Sequence, residues 1–275
     1  VHQVARLPGG RLHLSQGPID LVILADGVPD AVAAAYEAAE TRFDGLLAEL
    51  VSELPLLRLP LRDAPPPLRG PIARRMVEAA WPHRAVFVTP MAAVAGAVAE
   101  AVLAAMLAAA PLARAYVNDG GDIALHVGEG AHLDIGVVRS LSLARPEGFV
   151  RIDHASPVRG IATSARHGRS FSLGIADAVT VLGPGAADAD VAATLIANAV
   201  DADDPAILRR PARDLDPDSD LGSRPVTLEV GPLAPATVAQ ALEAGEARAR
   251  AMLAEGLIHG ALIALGGEWR AVGGT

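Results

Sequence analysis

Apolar and polar residues alternate through residues 1–26, with Gly9-Gly10 and Gly17-Pro18 interrupting the alternation, and the pattern predicts a β-meander. The spacing then lengthens. From Asp30, a residue suited to cap a helix start, the positions Val32, Tyr36, Phe43, Leu46, Leu47 and Leu50 recur near helical spacing and predict a helix over 31–54. Residues 55–71 are rich in Pro and Arg and read as a long irregular connection, either a wrapping loop or a domain seam. Beyond them the pattern predicts a short helix at 72–81, a strand at 85–88 and an Ala-rich helix at 91–109. In that helix Ala92, Ala95, Gly96 and Ala99 leave room for a second backbone to pack closely. Strands follow at 115–117, 123–127, 133–138, 149–152, 160–163 and 172–182. A helix at 186–200, a Pro- and Asp-rich loop at 201–222, a strand at 226–230, a helix at 237–255 and a final strand at 257–265 complete the pattern. Runs of neighbouring strands mixed with long helices predict an α+β fold, with mixed or antiparallel sheets packed against the helices. We take 1–275 as a single domain with one candidate seam, at 55–71.

Composition narrows the classes. Half the chain is hydrophobic but only 3% is aromatic, so the core must be built from Ala, Val, Leu and Ile. The net charge of −9 argues against a nucleic-acid partner, which needs a basic stripe. Every basic residue is Arg, which excludes a P-loop lysine or a Schiff-base lysine, and without Cys there is no disulfide, thiolate nucleophile or cysteine-ligated cluster. The most apolar run, 91–109, is mostly Ala and holds Glu100 at its centre, so we expect a buried helix of a soluble protein rather than a membrane span. No basic region followed by an apolar stretch opens the sequence, and a cytoplasmic location is expected.

Three stretches carry candidate chemistry. In Asn118-Asp119-Gly120-Gly121-Asp122 the glycines permit positive φ and leave no Cβ to block a ligand, while Asn118, Asp119 and Asp122 are placed to hydrogen-bond ribose or a flavin edge. An ordinary hairpin turn explains the same residues, since Asp-Gly is a strong hairpin signal, and on spacing alone that reading is favoured. Thr163-Ser164, followed by Arg166, His167, Gly168, Arg169 and Ser170, offers hydroxyls and guanidinium forks suited to a phosphate; a solvated loop is the alternative. Asp190 and Thr194 stand four apart on a helix, so their Cβ atoms lie roughly 6 Å apart on one face, and two oxygen donors there suit a hard cation such as magnesium. Equally, Asp188 and Asp190 fit the start of a helix, where its dipole favours carboxylates. The alternating Asp214, Asp216, Asp218 and Asp220 lack the Gly and Glu positions of a calcium loop, and pairing with Arg209, Arg210 and Arg213 is the better account.

Taken together, residues 89–100 (TPMAAVAGAVAE), 117–125 (VNDGGDIAL), 160–181 (GIATSARHGRSFSLGIADAVTV) and 189–198 (ADVAATLIAN) resemble the ApbE superfamily, whose characterised members are FAD:protein FMN transferases. The similarity covers most of the chain and is strongest to an ApbE-like branch of soluble proteins with no assigned activity. The resemblance implies flavin contacts, to FAD or FMN, at Gly120, Gly121, Asp122, Thr163 and Ser164, to which the hydrogen-bonding and phosphate readings above add Asn118 and Arg169, and a magnesium site made by Asp190, Thr194 and the backbone carbonyl of Val98. It implies a flavin nucleotide as ligand and a protein hydroxyl as acceptor of FMN, allows a homo-oligomer, and implies no membrane partner. Two departures bear on the chemistry. The transferases carry a K-G-Y-A-x-D helix where this chain has Ala95-Gly96-Ala97-Val98-Ala99-Glu100. They also carry a histidine followed by D-P-x-T-G, where this chain runs through Ser170 to Asp177. A binding module that holds a flavin or another nucleotide without transferring it, or a partner subunit in a sulfur or cofactor pathway, is therefore the alternative to an enzyme.

Overall fold

A computed structural model describes residues 2–137, 148–168 and 170–273. The chain folds around a nine-stranded sheet whose spatial order is β1 (Gln3–Leu7), β2 (Arg11–Gln16), β3 (Ile19–Asp26), β4 (Arg114–Asp119), β5 (Asp122–Val127), β8 (Gly160–Ser164), β9 (Ala178–Gly183), β12 (Gly260–Leu265) and β13 (Glu268–Gly273), every neighbour antiparallel. Two ribbons stand apart, β6 (His132–Val137) with β7 (Gly148–Asp153), and β10 (Ile207–Pro211) with β11 (Pro225–Val230). The α-helices are α1 (Pro29–Phe43), α2 (Leu46–Leu57), α3 (Pro71–Ala80), α4 (Val94–Ala109), α5 (Ala186–Ala199) and α6 (Pro235–Ala254). The architecture is α+β, with antiparallel sheets against long helices.

Strand alternation explains the layering. Ile19, Leu21, Ile23 and Ala25 of β3 point into the helical layer, while Asp20, Val22 and Leu24 face the other side. On the helical side a single core joins Leu14, Phe43, Met76, Val117, Val179 and Leu242, and it takes in Leu57, Leu61 and Leu68, so the 55–71 segment packs onto that core. On the opposite face a smaller core forms where Leu133 and Ile152 of the β6–β7 ribbon meet Leu125, Val127 and Ile161 of the sheet. The apolar segment Pro90–Ala109 has the length and hydropathy of a membrane span. Here α4 packs against α1, α3, α5 and strands β4 and β5, with Val98, Val102 and Met106 fully buried.

Several elements differ from the pattern reading. The helix expected over 31–54 is two helices, because Gly45 adopts φ 78° just after α1, a left-handed helix end that glycine tolerates without strain. The strand expected at 85–88 does not form; the Val88 carbonyl accepts the Leu61 amide, and among the described residues 85–88 pair with no strand. The strand expected over 172–182 begins only at Ala178. Before it, the Ser172 hydroxyl bonds within its own turn to the Gly174 amide, and Gly174 is wedged so tightly against α5 that an added Cβ would lie 2.1 Å from the Ala197 carbonyl. The loop expected at 201–222 contains β10, and β13 follows the strand expected to be last; its burial is too sparse to show as an apolar run.

Candidate functional site

The site is built where the β4–β5 hairpin, the end of β8 and the starts of α4 and α5 meet. In the hairpin Asp119 and Asp122 are directly opposed and the loop is Gly120-Gly121, with φ 66° and 122°. Both values lie in the region that favours glycine, which is why the turn can be two residues long. The Asn118 side-chain oxygen accepts the Gly121 N–H at 2.8 Å and closes the turn. That amide is therefore engaged within the hairpin, while Gly120 stays exposed at the tip. β8 pairs with β5, and the Thr163 N–H donates to the Asp122 carboxylate. The Thr163 hydroxyl is 2.9 Å from that of Thr180, and Ser164 continues β8 half-buried beside Val179.

Asp190 reaches this region because α4 and α5 cross very closely. An added Cβ on Gly96 would lie 2.3 Å from the Ala186 carbonyl oxygen, so only glycine fits at the crossing. The first turn of α4 has no side-chain cap of its own. Asp190 supplies one from α5: its Oδ2 accepts the Gly96 N–H at 3.1 Å, and its carboxylate also accepts from Ala95. Free amides and the positive end of the helix dipole both favour a carboxylate there. Thr194 lies one turn further along α5, half-buried, and Val98 sits on α4 two residues past Gly96 with its side chain fully buried.

Three carboxylates interact here, Asp119 buried and Asp122 and Asp190 half-buried. Burial, followed by the charge of Asp119, pushes Asp122 up to about 7, against a smaller pull from the Thr163 amide. Burial, followed by Asp122, raises Asp190 well above the ordinary carboxylate range, although the Gly96 and Ala95 amides favour its charged form. Asp119 is buried and accepts the Asp20 amide at 3.3 Å. Among the described residues no group of three His, Cys, Asp or Glu side chains converges as a ready metal cage. A cation at Asp190 would thus depend on oxygens of other kinds, from a hydroxyl, a carbonyl, water or a ligand. The donors present, all oxygen with a surplus of negative charge, fit a hard cation.

Other candidates are engaged elsewhere. Arg166 forms a two-pronged ion pair with Asp177 at 3.0 and 2.9 Å, and Asp177 also accepts the Gly266 amide, so this guanidinium anchors the loop ahead of β9. His167 is exposed, and Arg169 lies outside the described residues. Asn198 turns its side-chain oxygen to the Leu173 amide. In the acidic loop only Asp214 approaches an arginine of those expected, Arg213 at 3.9 Å; Asp216 accepts the Asp218 amide, Asp220 accepts the Thr89 hydroxyl, and Arg209 pairs with Asp201. Arg75, Glu100 and Asp188 form a bridged network that the sequence pattern did not single out.

Fold and site together define an α+β protein with a Gly-Gly hairpin and a half-buried, helix-borne carboxylate brought to one place. The chain belongs to the family described as AbpE bacteria, whose model matches residues 4–271. It is 38% identical over 135 residues to a UPF0280 protein of Methanopyrus kandleri, covering 49% of this chain and 51% of that one, so it spans about half the length of that relative. It is 30% identical over 182 residues to a UPF0280 protein of Methanosarcina acetivorans, covering 66% and 69%. Among solved structures, the apo flavinyl transferase ApbE of Pseudomonas stutzeri superposes with a TM-score of 0.46 at 12% identity, over 99% of this chain and 93% of that one.

Proposed function

We propose that this chain binds a flavin nucleotide, FAD or FMN, in a manner that depends on magnesium held at Asp190. The observation that carries the reading is the seating of Asp190 on the first-turn amides of α4, in electrostatic contact with the Asp119–Asp122 hairpin pair. Family membership and the A-D-x-x-x-T pattern over 189–194 support it. Asp190 and the Thr194 hydroxyl are the side-chain donors, and the Val98 carbonyl is the candidate third. When bound, magnesium would supply positive charge to the nucleotide phosphates. The chain's own residues do the rest: the α4 amides hold Asp190 in place, and Gly121, whose missing side chain would face the Thr163 carbonyl, leaves space for a ligand beside β8. The reading includes a cytoplasmic setting with no membrane or nucleic-acid partner, in keeping with the net charge of −9 and the packing of α4 in the core.

Titration calorimetry with FAD, with and without Mg²⁺, tests the reading. Binding is expected only with Mg²⁺ and is lost in Asp190→Ala. That variant should keep its fold, because losing a helix cap of about 1 kcal/mol is offset by removing a desolvated carboxylate. A wild-type protein that binds no FAD in the presence of Mg²⁺ overturns the reading. Transfer of FMN to a protein hydroxyl is the second reading, favoured by the retained A-D-x-x-x-T helix. The hydroxyl oxygen would attack the FMN phosphorus, the bond to the AMP phosphate oxygen would break, AMP would leave, and the hydroxyl proton would pass to solvent. The missing D-P-x-T-G segment weighs against it. Mass spectrometry of a hydroxyl-bearing acceptor incubated with FAD separates the two, since only transfer adds the mass of FMN.

A further inference from the structure

We infer that Glu100 is a positioning residue for the cation site at Asp190; the inference rests on the cation reading above. The α4–α5 crossing has an approximate twofold logic. Gly96 of α4 touches Ala186 of α5, and four residues beyond each contact residue stands a carboxylate, Glu100 on α4 and Asp190 on α5. Each reaches the first turn of the other helix. Asp190 accepts the Gly96 N–H at 3.1 Å, and Glu100 Oε1 accepts the Ala187 N–H at 2.9 Å. Neither helix start has a side-chain cap of its own, so each is capped by the other.

Glu100 is fixed more firmly than Asp190. Arg75 of α3 donates to both of its oxygens, at 2.7 and 3.2 Å, and to both oxygens of Asp188, at 3.2 and 2.5 Å. Burial pulls the Arg75 pKa down, but bonds to these two carboxylates outweigh it and hold the guanidinium above its ordinary value. Gly185 makes room for the network, since an added Cβ there would lie 2.5 Å from Glu100 Oε1. With both oxygens engaged, Glu100 is turned away from a cation at Asp190. What it fixes is the start of α5: Ala187 is three residues before Asp190, so any shift of that turn carries the Asp190 carboxylate with it. No neighbouring residue of α4 offers a replacement acceptor, because Ala97, Val98, Ala99 and Ala101 have none. Partners that hold a metal ligand in place typically contribute about 10- to 100-fold to affinity.

The experiment titrates the full chain with Mn²⁺ and follows free Mn²⁺ by electron paramagnetic resonance. Glu100→Ala should raise the Kd at least about tenfold. Glu100→Gln, which keeps an acceptor for the Ala187 N–H, should return it to within about threefold of wild type. Glu100→Asp keeps the charge beside Arg75 but is one methylene short of Ala187; it should track Glu100→Ala and carries the test if that variant does not fold. Glu53→Ala, which removes a carboxylate cap from the start of α3, is the control for a general loss of stability and should leave the Kd unchanged. An unchanged Kd in both Glu100→Ala and Glu100→Asp, or an equal loss in Glu53→Ala, overturns the role of Glu100 while the cation reading stands. A wild-type chain that binds no Mn²⁺, either alone or with FAD present, overturns both.

Discussion

Replacing Gly96 by Ala sets two effects of opposite sign against each other. Helix propensity alone favours Ala within α4 by about 1 kcal/mol. The crossing opposes it: the new Cβ would lie 2.3 Å from the Ala186 carbonyl oxygen, 2.4 Å from its carbon and 2.6 Å from the Ala187 nitrogen. Carbon atoms pack at about 3.5–4.0 Å, so α4 and α5 must separate by roughly 1 Å or more. All three obstacles are backbone, which cannot rotate aside as a side chain can. Overpacking of this kind costs about 1–3 kcal/mol, and the same separation stretches the Asp190–Gly96 and Glu100–Ala187 caps, each of about 1 kcal/mol. A net loss of about 3 kcal/mol is expected after the propensity gain, which at about 2–4 °C per kcal/mol for a chain of this size lowers Tm by roughly 6–12 °C. Thermal unfolding followed by circular dichroism, with urea midpoints as a second measure, reads the difference. A Gly96→Ala variant as stable as wild type, or more so, would show that propensity wins and that the helices do not meet backbone to backbone.

Asp122 gives a pH signature. Its folded-state pKa of about 7 exceeds the ordinary 3.8, so across that window the folded protein holds a proton that the unfolded chain releases, and stability from this group is complete below about pH 4 and lost as pH rises through 7. Asp122→Asn, which can still accept the Thr163 amide, should raise Tm at pH 8 and change it little at pH 4 in Mg²⁺-free buffer; a lower Tm at both pH values would contradict the crowding of carboxylates. Glu53 has the opposite sign. It accepts the Arg69 and Gly70 amides at 2.6 and 2.7 Å, and these bonds hold its pKa below the ordinary 4.5, so its contribution is present above that value and fades as pH falls through the lowered one. Glu53→Ala should cost about 1 kcal/mol at pH 7 and less in acid, and equal urea midpoints for variant and wild type at pH 7 would argue against that cap.

Local chemistry was legible in the sequence wherever it depended on neighbours in the chain. Asp119-Gly120-Gly121-Asp122 is a hairpin because adjacent glycines permit the turn, and residues three and four apart defined one face of α5. The break at Gly45 follows the same kind of rule, yet the apolar spacing from Tyr36 to Leu50 carries straight across it, since a helix stop and a restart after only Asp44 and Gly45 leave the period almost intact. The bend at 170–177 was hidden for another reason: its apolar run is that of a strand, and the contacts that bend it come from Ala197, Asn198 and Gly266, far along the chain. Glu100 was visible only as a charge interrupting an apolar helix. Its partners Arg75 and Ala187 are 25 and 87 residues away, and no periodicity within a window connects them. One signal was nonetheless present. Gly96 stands four residues before Glu100, and Ala186 stands four before Asp190. A small residue followed one turn later by a carboxylate, on two helices that are mostly apolar, is what a pair of closely crossed helices needs if each is to cap the other. Of the two readings left open for Asp190, the structure shows the helix cap, with Oδ2 accepting the Gly96 amide, and the proposed cation site would depend on the position which that cap fixes.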